Sequence, residues 1–257
     1  MPERLPRILP YRNAGGTELS MHVFPADGSG TPKAGLVLFH GGGWCKGEPA
    51  MLYRIARSLQ EDGVSVFLPQ YRLMPVHQAS LWDLVGDAHA AMSWIHDHAP
   101  DYDLEPAKIG AGGGSAGGHL ALCTELIPPR EGNRGPRPAF LVLGNPVIDT
   151  SASGFGQSLA GNDWEALSPL HQIRPGIPAT VIFHGTADTT TPIAGVEAFL
   201  RQSRDNGDAC LVHAYPGRRH AFFNQEPDIH DVIDRMKAFI ARWIAGTHPG
   251  NGLQRVQ

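Results

Sequence analysis

The feature that most constrains this chain is a repeated succession of short apolar runs and longer stretches of helical spacing. AGLVLF at 34–39, VSVFLP at 64–69, FLVLGN at 140–145 and ATVIFH at 179–184 are short, continuous and rich in β-branched and aromatic residues. Runs of that length without polar alternation read as strands buried on both faces. TELSMHVF at 17–24 alternates instead, as a strand with one exposed face does, and shorter strands are predicted at 107–111 and at 209–215, ACLVHAY. Leu52, Ile55, Ala56 and Leu59 recur at helical spacing, as do Leu81, Leu84, Val85, Ala88, Ala91, Met92 and Ile95. These patterns predict helices over 50–62 and 81–98, with further helices at 115–126, 192–205 and 230–245. Strands alternating with helices define an α/β fold, with a mostly parallel sheet covered on both faces. The reading is one domain over 1–257, its core at about 17–245 and an irregular, pocket-lining insertion at 149–177. A turn is expected at Asp27–Pro32, and a frayed tail after Gly246.

Composition narrows the function classes. A hydrophobic fraction of 42% supports a substantial core. A net charge of -4 gives no electrostatic reason to expect nucleic acid or an anionic membrane as partner. No run of about 18 apolar residues occurs, so no membrane span is expected. The first residues lack the apolar stretch of a secretory leader. Cys45, Cys123 and Cys210 form neither a CxxC nor a Cys/His zinc pattern. Cytoplasmic residence is the default expectation, or secretion if a leader has been removed. No HExxH pair occurs, so no catalytic metal is expected.

In parallel sheets ligands bind beyond the carboxyl ends of the strands, which directs attention to the residues after each apolar run. After 107–111 comes Gly113-Gly114-Ser115-Ala116-Gly117, a G-x-S-x-G in the strand–turn–helix context that this motif requires. A sharp turn there strains the serine, exposes its hydroxyl, and sets it against the unpaired N–H groups of a helix N-terminus. The same glycines fit G-x-G-x-x-G loosely. However, no Lys-Ser/Thr follows, and no acidic residue ends a strand about 20 residues on, so a nucleotide site is rejected. After 34–39 comes His40-Gly41-Gly42-Gly43-Trp44, an HGGG-type loop suited to an oxyanion hole. Its donors are expected to be the N–H groups of Gly42 and Gly43 with that of Ala116, and Trp44 N–H as a substitute. After 179–184 comes Asp188, a carboxylate placed to orient a histidine, with helix capping as its alternative role. After 209–215 comes His220, on a loop where a general base could reach the serine. The order Ser115, Asp188, His220 is that of the α/β-hydrolase triad. Asp149 and Asp163 are the competing aspartates. His40 and His184 read as structural hydrogen-bonders, and Trp44 and Trp164 as substrate contacts.

With these residues in place the chain resembles the α/β-hydrolase esterases, in their hormone-sensitive-lipase-like and acetyl-xylan or feruloyl esterase-like branch. The resemblance runs over about 17–245. It rests on HGGGW at 40–44, Tyr71-Arg72-Leu73, Asp87 seven residues before Trp94, GGSAGG at 113–118, HGTAD at 184–188 and HAFFN at 220–224. It implies an α/β-hydrolase fold, a triad, an oxyanion hole and no cofactor, with Arg72 and Asp87 as structural partners. Two features depart from the branch: Gly114 stands where many relatives carry an acidic residue, and the N-terminal segment is too short for the helical cap. The activity implied is a serine carboxylic-ester hydrolase working through an acyl-enzyme on short-acyl, acetyl-type esters of carbohydrate or aryl alcohols. An amidase, peptidase or arylformamidase-like hydrolase is the alternative. A non-catalytic binding protein on the same fold is the reading from another class, and its mark would be a missing triad member.

Overall fold

The computed structural model describes residues 5–26 and 33–246; the turn expected at Asp27–Pro32 and the tail after Gly246 lie outside the described residues. In chain order the elements are β1 (Arg7–Ala14), β2 (Thr17–Phe24), β3 (Lys33–Phe39), α1 (Tyr53–Glu61), β4 (Val64–Pro69), α2 (Met74–His77), α3 (Leu81–Asp97) and β5 (Leu104–Gly114). There follow α4 (Ala116–Leu126), β6 (Phe140–Gly144), α5 (Gln157–Ala160), α6 (Pro169–Gln172), β7 (Ala179–Gly185), α7 (Ile193–Asp205), β8 (Cys210–Tyr215) and α8 (Ile229–Ile244). The strands join one 8-stranded sheet in the order β1-β2-β4-β3-β5-β6-β7-β8. Its first two junctions, β1 with β2 and β2 with β4, are antiparallel, and the rest are parallel.

The continuous apolar runs are explained by two cores, one on each face. Because side chains alternate along a strand, Val37 and Phe39 of β3 pack with Leu84 of α3, Leu120 of α4 and Phe199 of α7. Leu36 and Leu38 point the other way, to Leu59 of α1 and Ile233 of α8. α3 starts with a capping box: the Ser80 side chain accepts from Asp83 N–H while the Asp83 side chain accepts from Ser80 N–H. Behind it Arg72 Nε donates to Asp87 Oδ2 at 2.9 Å, which ties the segment after β4 to α3.

Sequence periodicity missed β1. RILPYRNA carries charges and Pro10, which are tolerated because β1 is an edge strand, and its register slips between Pro10 and Arg12. β5 is longer than predicted, since Gly112 to Gly114 continue the strand. Neighbours explain why glycine is needed there. A Cβ on Gly112 would lie 2.3 Å from the carbonyl oxygen of Val142, and one on Gly114 would lie 2.2 Å from the Phe223 ring. The stretch 149–177 contains α5 and α6 and is tied to the core at several points. His119 Nε2 donates to Leu167 O at 2.7 Å and Leu170 N–H to Ile148 O at 2.9 Å.

Candidate active site

Ser115 stands between β5 and α4 with φ 54 and ψ -120. That conformation is rare for a residue with a Cβ and costs on the order of 1–3 kcal/mol, so the surroundings must impose it. Ser115 N–H donates to Gly144 O at 2.9 Å, and its own carbonyl accepts from Val147 and His119 N–H at 3.1 Å. A Cβ on Gly113, at φ 154 near the end of β5, would lie 2.4 Å from Phe39 O, and Gly117 lets the first turn of α4 lie directly on the end of β3.

Three side chains from three strand ends meet here. His220, in the loop after β8, has Nε2 2.8 Å from Ser115 Oγ and Nδ1 2.7 Å from Asp188 Oδ2. An ionised carboxylate only accepts, so Nδ1 carries the proton and Nε2 is left to accept from the serine hydroxyl. Asp188 divides its two oxygens between two tasks. Oδ1 accepts from Thr190 and Thr191 N–H at 2.8 and 2.9 Å, which shapes the loop after β7. Oδ2 faces His220 and also accepts from Thr191 Oγ1 at 3.0 Å. Asp188 does not cap α7, whose N-cap is Pro192 without a side-chain bond. Burial pushes the Asp188 carboxyl up, but the bond from His220 and those from Thr191 and Thr190 outweigh it and hold the group below the ordinary aspartate value.

The loop after β3 turns beside this cluster. A Cβ on Gly41 would sit 3.5 Å from Ser115 Cβ. Gly42, Gly43 and Trp44 have φ 125, 61 and 63, and a Cβ on Gly42 would collide at 2.0 Å with Lys46 O. The turn is closed by Cys45 and Lys46 N–H, which donate to Gly42 O at 3.2 Å. The N–H groups of Gly42 and Gly43 have no acceptor among the described residues. Ala116 N–H, at the first position of α4, has no intrahelical partner. His40 and Tyr71 brace the loop from below: Tyr71 OH donates to His40 O at 2.8 Å and the rings stack at 4.2 Å.

Several expected residues stand elsewhere. Trp44 is a correction: its indole is buried, edge-on to His119 at 5.1 Å and tilted against Phe155 at 5.6 Å. The left-handed backbone at Trp44 turns the ring inward, so it supports the loop instead of meeting solvent. Trp164 is half-buried and packs edge-on to His171 at 5.2 Å. The aromatic ring beside the loop is that of Phe155, whose Cζ lies 3.5 Å from the position of a Cβ on Gly43. Asp149 is bonded to Ser151, and Asp163 to Trp82 Nε1 and Arg130, so neither contacts His220. His184 Nε2 donates to Thr191 O at 2.8 Å. Sequence reasoning missed Asn145 and Thr191, which both contact Asp188. Asn145 follows an apolar strand as Ser115, Asp188 and His220 do, and that position was its only signal. Among the described residues no group of three or more His, Cys, Asp or Glu could hold a metal ion, and no helix is long and apolar enough to cross a membrane.

His119 links the site to stability. Burial lowers its pKa from 6.5 to about 4, and burial does the same to His40. Between those values the unfolded chain binds more protons than the folded one, so this stability is complete above about 6.5 and is lost as pH falls toward about 4. The thermal midpoint should therefore drop on acidification through this window. His119→Gln, whose amide can keep the bond to Leu167 O, should drop less. A variant that tracks the parent at every pH in a thermal-shift series would refute the assignment.

An eight-stranded, mostly parallel sheet with Ser115, Asp188 and His220 after β5, β7 and β8 is the α/β-hydrolase fold. Within that fold its relatives are carboxylic ester hydrolases. The alpha/beta hydrolase fold family matches residues 36–160, and the prolyl oligopeptidase family matches residues 148–247. Carboxylic ester hydrolase LipN of Mycobacterium tuberculosis is 35% identical over 145 residues, which cover 55% of this chain and 38% of LipN. A probable isoprenylcysteine alpha-carbonyl methylesterase of Oryza sativa is 26% identical over 280 residues, covering 97% of this chain and 65% of the relative. The chain thus spans less than two thirds of the length of these curated relatives. The solved esterase 2 of Thermogutta terrifontis superposes with a TM-score of 0.86 at 28% identity, covering 98% of this chain and 96% of that one. That esterase has also been solved with propionate bound, with butyrate bound and phosphorylated by paraoxon.

Proposed function

We propose that the protein is a serine carboxylic-ester hydrolase that cleaves short-acyl esters through an acyl-enzyme. The observation that carries this reading is the continuous chain Ser115 Oγ, His220, Asp188, at 2.8 and 2.7 Å, built on a strained serine. His220 takes the hydroxyl proton as Ser115 Oγ attacks the ester carbonyl, and Asp188 stabilises the imidazolium that results. The proton then passes to the departing alcohol. Water, deprotonated by the same His220, releases the acid and restores the serine. The N–H groups of Gly42, Gly43 and Ala116 are the donors for the tetrahedral oxyanion, and such donors are worth about 2.7–4 kcal/mol each.

Short acyl groups are favoured by Phe155, whose half-buried ring closes on Gly43, and by Trp44, which fills the space behind it. The propionate- and butyrate-bound states of the Thermogutta terrifontis esterase support the same preference. Carbohydrate and aryl acetates are the candidate substrates, which agrees with the 26% identity to an acetylxylan esterase of Xylanibacter ruminicola. The match to the prolyl oligopeptidase family supports amide cleavage as a second reading. One experiment separates these readings. A fluorophosphonate probe should label the protein at Ser115, and p-nitrophenyl esters of two to four carbons should be hydrolysed fastest, well ahead of acyl anilides. Phe155→Ala should raise the octanoate-to-acetate rate ratio by about tenfold, the scale of a few methylenes in an apolar pocket. Absence of labelling would leave a binding protein; faster anilide cleavage would make the protein an amidase.

A further inference from the structure

We propose that Asn145 is a positioning residue that weighs against the charged form of His220 by holding a hydrogen-bond donor on the Asp188 carboxylate. This rests on the reading of Ser115, Asp188 and His220 as the triad. Asn145 follows β6 directly, is fully buried, and is anchored by its N–H, which donates to Phe183 O at 2.8 Å. Its Nδ2 donates to Asp188 Oδ2 at 3.2 Å and lies 3.4 Å from His220 Nδ1. Thr191 Oγ1 meets the Asn145 carbonyl at 3.4 Å, which closes the group from the side of the acid loop.

Two features of Asn145 are unfavourable on their own. Its backbone is left-handed at φ 33, and its buried Oδ1 has no hydrogen-bond partner among the described residues. A small apolar residue would remove the second cost and a glycine would remove both. What the amide supplies is the donor, and its orientation is decided by charge. Turned over, Oδ1 would face a carboxylate, so Nδ2 must point inward.

The consequence is electrostatic. The positive end of the amide dipole faces the carboxylate and, beyond it, the ring nitrogen next to which His220 carries charge when protonated. Both effects disfavour the imidazolium: the donor withdraws electron density from Asp188, and its dipole repels the cation. The other groups facing the pair are few. His184 Nε2 lies 3.7 Å from Asp188 Oδ2 and donates to Thr191 O, while burial lowers the pKa of His184. Thr191 Oγ1 lies 3.2 Å from His220 Nδ1. On the His220 loop Arg218 is paired with Asp228 at 2.8 Å, and Arg219 is exposed.

The test is the pH profile of kcat/KM for p-nitrophenyl acetate, together with an NMR titration of the His220 ring in the free enzyme. Asn145→Leu removes the donor while keeping a γ-branched side chain and should move the acid limb, and the ring titration, upward by about half to one pH unit. That is a three- to tenfold extra loss of kcat/KM below the limb. Asn145→Ser, which keeps a hydroxyl donor, should shift less than the leucine variant. A packing role alone would lower the whole profile without moving the limb, and an unmoved or downward-shifted limb overturns the proposal. If Asn145→Leu fails to fold, Asn145→Ala takes its place as the donor-free variant, and a limb equal to the parent's or lower there refutes the idea. Failure of the triad reading is distinguishable: there, Ser115→Ala would retain activity, whereas here it is inactive and only the limb position is at issue.

Discussion

Replacing Ser115 with alanine should lower kcat for p-nitrophenyl acetate by about 10⁶-fold while leaving the protein folded. The size follows from serine hydrolases, in which loss of the nucleophile costs on the order of 2 × 10⁶ in kcat. The fold is spared because the strain at Ser115 lies in the backbone. The bonds that hold it, from Gly144 O and to Val147 and His119, are main-chain bonds that alanine keeps. His220 and Asp188 stay paired at 2.7 Å but have no hydroxyl to deprotonate. A residual acceleration of about 10³–10⁴ over water should persist from binding and from the loop donors. The measurement is steady-state hydrolysis beside fluorophosphonate labelling and a melting curve. Parental turnover in the folded variant would remove Ser115 from the chemistry, and the entire mechanism with it.

Gly117→Ala should be among the most damaging small substitutions in the described residues. Its Cβ would lie 2.0 Å from Phe39 O, 2.5 Å from Phe39 C and 2.5 Å from His40 O, all backbone atoms of β3 and the loop that follows. No rotamer relieves such a contact. α4 must move off the sheet, and Ser115 and the loop 40–44 are displaced with it. The expected cost is about 3 kcal/mol, the upper part of the range for overpacking, with loss of the proposed esterase activity even where folded protein survives. Gly86→Ala is the control. It lies within α3, where a Cβ meets only Arg12 nitrogens at 3.8 Å. Removing a glycine from a helix interior should stabilise by about 0.5–1 kcal/mol. Urea unfolding of both variants reads the contrast. A Gly117→Ala protein as stable as the parent would show that α4 does not rest on β3 in the way described.

Both predictions depend on features with very different visibility in the sequence. The glycines around Ser115 stand out in a linear reading, since five of them crowd one serine between positions 112 and 118. What each glycine accommodates does not. Gly114 makes room for Phe223, 109 positions further on in the numbering, and Gly112 for the Val142 carbonyl. Trp44 shows the opposite error. Following three glycines, it reads as a side chain presented to a ligand, yet its left-handed φ sends it into the core against His119 and Phe155. Phe155 and Asn145 carry no motif at all. A lone aromatic in an irregular stretch and a lone amide after a strand acquire meaning only from the residues packed against them.

The order of elements, the two-faced burial of the strands and the residues stationed at their carboxyl ends were determined by the sequence alone. These follow from local rules, since side-chain period, chain stiffness and the space a glycine frees act within a few residues. Tertiary structure decided which of those strand ends meet. Ser115 and His220 are adjacent because the sheet sets β6 and β7 between β5 and β8 and folds the loop after β8 back over them. It also decided what surrounds the meeting point: a buried Trp44, a Phe155 ring beside Gly43 and an Asn145 amide on Asp188. Burial and hydrogen-bond partnership are properties of the packed interior, and contacts between distant segments leave no periodic trace along the chain.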